Sequence, residues 1–139
     1  MLKKLQAISE KDPRYDMEAY IFIREALDFT AKSLDKPRSG PKHHVSGREL
    51  SEGFRDLALQ SFGPMALKVL NTWGLFSTQD IGELVFNLVD AGELGKTDQD
   101  SRADFVHNYD FYESFGRPYE PPALANEPPQ PPTLGNANA

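Results

Sequence analysis

Between Phe62 and Leu94 the apolar positions return at intervals of three and four. Ala66, Val69, Leu70 and Trp73 make one stripe, and Ile81, Leu84, Val85, Leu88 and Val89 make another. This spacing predicts two amphipathic helices, and the residues between them supply the punctuation. Gly63-Pro64 suits a stop followed by a start, because Gly tolerates the position past a helix end and Pro the first position of a new one. Gly74 closes the first helix, Ser77 with Asp80 makes a near capping box for the second, and Gly92 stops it. The turn Gly74-Leu75-Phe76 has about the length of a helix–turn–helix connection.

The same grammar extends upstream. Ser46 and Glu49 form an S-x-x-E capping box, and Leu50, Phe54, Leu57, Ala58 and Phe62 follow toward a core. Residues 46–92 are therefore three consecutive helices whose short connections force neighbours to pack. Asp16 is the predicted N-cap of a long helix reaching Leu34. Its first stripe is Tyr20, Ile23, Leu27, Ala31 and Leu34; Phe22, Ala26 and Phe29 make a second. Two stripes mean burial on more than one side, as core packing or as the wall of a ligand pocket. Leu2 to Lys11 is a short basic helix that Asp12-Pro13 breaks, with Leu5 and Ile8 able to reach the core.

Residues 35–45, DKPRSGPKHHV, read as a solvated loop, with an anion-contacting loop as the alternative. The aromatic segment Phe105 to Tyr119 is predicted to fold back on the helices, Phe105-Val106 as a strand and DFYESF as a helical turn. From Arg117 the pattern stops. Residues 117–139 are rich in proline and asparagine and carry no apolar period, so we expect a disordered tail with polyproline stretches at EPP and PPQPP. The expected organisation is a single, mainly α domain over residues 1–116, followed by that tail.

Composition narrows the chemistry. With no cysteine in 139 residues, disulfides, thiolate catalysis and Cys-based metal sites are excluded. His43-His44 is a poor metal site, because adjacent residues do not share a face and no third ligand is near. The acidic run from Asp98 lacks the Gly and Glu of a calcium loop, having Ala103 and Tyr109 at those positions. No carboxylate pair stands beside a nucleophile, so no catalytic, cofactor-binding or metal residue is nominated. No apolar run approaches the ~18 residues of a membrane span, and the basic N-terminus lacks the apolar stretch of a secretory signal, so the cytoplasm is the expected compartment. Residues 46–115 carry five Lys/Arg and twelve Asp/Glu, net −7, against −6 for the whole chain. Such a body repels phosphate backbones.

Two resemblances follow. The segment after the second central helix, Glu93 to Phe105, resembles the short polar hairpin of winged-helix domains, which implies a β wing; an all-helical bundle with a loop there is the other reading. The phrases AYIFIREALDF, HVSGRELSEGFRDLALQSFGPMALKVLNTWGLFSTQDIGELVFNLVDAGELGKTDQDSRADF and YDFYESF together resemble an uncharacterised family of small planctomycete and verrucomicrobial proteins. That likeness implies an origin and a size and no active-site residue.

Three functions are compatible with these features: a non-catalytic protein-binding or adaptor module, a winged-helix nucleic-acid-binding regulator, and a small enzyme or ligand-binding domain. The first is preferred. A recognition helix over Thr78 to Ala91 would carry Asp80, Glu83 and Asp90 and no Lys or Arg, with only Thr78, Gln79 and Asn87 to read bases. The expected interaction residues are Leu75 and Phe76, two large apolar side chains at a turn whose flanking helices already have complete stripes. Either they plug the core or they project toward a protein partner or a second copy.

Overall fold

The computed structural model describes residues 2–35, 45–94 and 101–120. Most of the loop, 36–44, the tail from 121, and residues 95–100, where the β wing is expected, lie outside these, as does His43-His44. Five α-helices run in order: α1 Leu2–Lys11, α2 Met17–Ser33, α3 Gly47–Phe62, α4 Ala66–Thr72 and α5 Thr78–Asp90. Three short helical turns follow: a 3-10 turn Arg102–Phe105, a π turn Tyr112–Gly116 and a 3-10 turn Arg117–Tyr119. Among the described residues there is no strand.

The helix ends form for the reasons the sequence offers. Asp16 accepts from the Glu18 amide at 2.8 Å. Ser46 and Glu49 exchange both bonds of a capping box, at 2.9 and 3.1 Å. α4 closes in a Schellman arrangement: Gly74, at φ +96°, donates to Asn71, and Leu75 donates to Leu70. Gly92 and Glu93 repeat it on α5, donating to Val89 and Leu88.

α2 packs along α3, and the approach is close. A methyl group at Gly53 would stand 1.8 Å from Thr30 Oγ1. Thr30 is buried there, its hydroxyl returned to Ala26 O at 2.6 Å. The buried face of α2 is Ala19, Tyr20, Phe22, Ile23, Ala26 and Thr30. Leu34, placed by periodicity on that face, is instead exposed, because α2 ends at Ser33 and its last turn leaves the core. One core cluster joins all five helices and the closing aromatics Phe105, Phe111 and Phe115.

The expected strand at Phe105-Val106 is corrected to a turn. Phe105 ends a 3-10 turn, and its ring fills a slot between α3 and α5 where Gly47 and Gly82 leave no room for a Cβ. Its carbonyl accepts from Thr78 Oγ1 and the Val106 amide donates to Ala103, so these ladder groups are already used. No helix among the described residues is long and apolar enough to cross a membrane.

Candidate functional site

Leu75 and Phe76 part company. Leu75 is 0% exposed and belongs to the core, so it cannot meet a partner; Phe76 is 63% exposed, the most exposed large apolar side chain among the described residues. The Schellman motif explains the split. Its residue after the glycine turns back toward the last helical turn, and Leu75 joins Leu70 in the core. The next residue, Phe76, then points away.

Phe76 is held on a fixed backbone. Its amide donates to Asp80 Oδ2 at 2.9 Å, and the Ser77 amide donates to the same oxygen at 3.2 Å. The other Asp80 oxygen accepts from the hydroxyl of Tyr15, which precedes α2. Burial first, and then this carboxylate, raise the Tyr15 hydroxyl far above the ordinary tyrosine pKa, so it stays a donor. From the same side, Gly74 lies against the carbonyl of Arg14, and Asp16 donates to Trp73 O at 3.1 Å. The α1–α2 linker thus braces the turn.

Across from Phe76 the aromatic segment is hooked to α5 and α3. Thr78 Oγ1 donates to Phe105 O at 2.6 Å and accepts from the Asn108 amide at 3.2 Å. Asn108 Nδ2 donates to Ser51 Oγ and Asp104 O, both at 2.9 Å, and Tyr109 donates to Ser51 O at 2.8 Å. Between these hooks His107 adopts φ +53°, a left-handed backbone that costs a residue with a Cβ. Burial raises the Tyr109 hydroxyl well above its usual range.

The result is a cleft of about 350 Å³, walled by Phe76, Ser77, Gln79, His107, Asp110 and Phe111. Its floor is aromatic: Tyr109 and Phe111 stack at 6.1 Å. Beneath the floor, outside the cleft, the buried ring of Phe115 meets Phe111 edge-on at 5.1 Å. Asp110 is occupied in part, accepting from the Glu113 amide at 3.0 Å. Tertiary structure has joined the turn and the aromatic segment into one concave surface with an apolar wall and a polar rim. Sequence reasoning treated the turn and the aromatic segment Phe105 to Phe115 as alternative surfaces and did not join His107, Gln79 and Phe111 to Phe76.

Two further polar side chains of α5, Glu83 and Asn87, are committed internally. Glu83 pairs with Arg14 at 3.2 Å and Arg102 at 2.8 Å. Asn87 donates to Asp12 at 2.8 Å and to the Tyr20 hydroxyl at 3.0 Å. The guanidinium of Arg14, 2.7 Å from Asp12, holds that carboxyl well below the usual range. Among the described residues no three His, Asp or Glu gather as a metal site. No family model, curated protein or solved structure matches this chain.

Proposed function

We propose that this chain is a non-catalytic, cytoplasmic protein-binding module, and that its docking surface is the cleft beside Phe76. The observation that carries the reading is an aromatic on a hydrogen-bonded turn, 63% exposed, at the lip of a concave surface with an aromatic floor. Such a side chain is the anchor an interface centre uses, and Gln79, His107 and Asp110 supply the polar rim. The partner presents an apolar side chain to the cleft and contributes a pocket for the Phe76 ring.

The winged-helix regulator is the weaker reading. Of the three side chains available for base edges, Thr78 is buried on Phe105 O and Asn87 is held by Asp12 and Tyr20. Gln79 alone is exposed.

Two single substitutions test the proposal. Phe76→Ser should leave the melting temperature within about a degree and abolish capture of the partner, or of a second copy, that the native chain binds. Leu75→Ser should melt many degrees lower, since it puts a hydroxyl in the core. If Phe76→Ser keeps every partner of the native chain, the cleft is not the docking surface.

A further inference from the structure

A second concave surface shares no lining residue with the Phe76 cleft. It is a groove of about 540 Å³ between α4 and the π turn Tyr112–Gly116. Pro64 and Leu67 make its apolar walls over the buried ring of Phe115, and Lys68, Asn71 and Thr72 are its polar members. Tyr112 and Leu67 close in on Gly116: a Cβ there would stand 2.9 Å from Tyr112 and 3.1 Å from Leu67. Tyr112, on the turn that forms the groove, is exposed, as are Met65 beside Pro64 and Tyr119 beyond Gly116.

Among the described residues, two groups here lack partners. Lys68 makes no ion pair among the described residues. Asn71 makes no side-chain hydrogen bond there, and its buried Oδ1 has no donor. The carboxamide Nδ2 likewise makes no hydrogen bond among the described residues.

The described chain ends next to this surface. Gly116 lines it, a single 3-10 turn Arg117–Tyr119 follows, and residues 121–132 read PPALANEPPQPP. We propose that this groove is the docking site of the chain's own proline-rich segment, residues 121–132. Three features match. A polyproline segment presents backbone carbonyls with no internal donor, and an unpaired amide meets that need. Proline rings pack on aliphatic walls such as Pro64 and Leu67, and on an exposed ring such as Tyr112 beside them, with little ordering entropy to lose, the basis of proline-rich recognition. Glu127 supplies the carboxylate that Lys68 lacks. Reach is no obstacle, since twelve residues at ~3.1 Å each span roughly 37 Å. The proposal is independent of the Phe76 cleft.

The test uses the full chain. Amide spectra of the native protein are compared with those of a variant carrying Pro128→Ser, Pro129→Ser, Pro131→Ser and Pro132→Ser. Docking predicts shifts confined to Leu67, Lys68, Asn71 (including its side-chain amide), Thr72 and Gly116. Leu67→Glu with the native tail should reproduce the shifts at the remaining positions. The shifts should also be unchanged on tenfold dilution, as an intramolecular contact requires. Superimposable spectra of native and four-serine chains would overturn the proposal. Shifts that disappear on dilution would also overturn it, because the groove would then be held by a second copy.

Discussion

At the scale of single residues, one position of sequence separates a core plug from an exposed anchor. Leu75 and Phe76 are similar in hydrophobicity, and periodicity treats them alike. The Schellman hydrogen bonds of α4 turn the first inward. That signal was in the sequence, as a leucine directly after a helix-stopping glycine, but it needs the position in the cap motif to be read. Trp73 shows the reverse case. Its place in the 66/69/70/73 stripe predicts a core keystone, yet α4 ends at Thr72 and the indole is only half-buried. It packs edge-on to Phe62 at 5.7 Å and tilted on Phe22 at 5.6 Å. Trp73→Ala should therefore cost about 2–3 kcal/mol, less than the ~3–5 of a fully buried ring. Chemical denaturation measures it; a loss under 1 kcal/mol would mean the ring contacts contribute little.

Asp12 carries a pH prediction at the same scale. Its folded pKa is depressed, chiefly by its bond to Arg14 and also by Asn87. The pair then stabilises the fold fully above the unfolded aspartate value, about 3.9, and less as pH falls from there toward the lower folded value. The native chain should lose stability between neutral pH and about pH 3 more steeply than Asp12→Asn. Parallel acid titration curves from urea melts at each pH would show that the Arg14 pair has no folded-state preference.

At the scale of elements, the helices follow their caps, and the closing segment follows its tertiary hooks. Boxes such as Ser46 with Glu49 are local, satisfied by residues three apart, so they are legible in sequence. Phe105-Val106 looked like a strand because it is a short apolar pair beside polar residues. A strand needs a partner edge, and here Thr78, 27 positions earlier, takes the Phe105 carbonyl. Thr78→Val tests whether this hydroxyl holds the segment. It removes the donor to Phe105 O and the acceptor of the Asn108 amide while keeping the shape. The expected cost is about 1–3 kcal/mol, the penalty of a buried polar group left unpaired. Amide exchange should quicken at 105–109 and not in α2. Uniform quickening across the chain would assign Thr78 to global stability instead.

At the scale of the whole molecule, charge and committed polar groups point the same way. The chain has net charge −6, and of the carboxylates on α5 Glu83 is paired with Arg14 and Arg102 while Asp80 takes the Tyr15 hydroxyl. Labelled duplex DNA, random or genomic, should show no submicromolar binding even at low salt, where phosphate attraction is strongest. Tight binding with a steep salt slope would restore the regulator reading.

The sequence by itself determined the helices from Asp16 to Gly92, their ends and most of the apolar faces, because caps, turns and a 3.6-residue period act over a few neighbouring positions. It also limited the chemistry, since a chain without cysteine has no thiolate to use. Tertiary structure alone decided the slot that Gly47 and Gly82 leave for Phe105, the crossing of Thr30 on Gly53, and the cleft that brings Phe76 to His107 and Phe111. Those features join residues about 30 or more positions apart, or 20 or more in the case of Thr30 and Gly53 and of Gly82 and Phe105. Their partners are fixed by how helices pack in three dimensions, which no local pattern along the chain encodes.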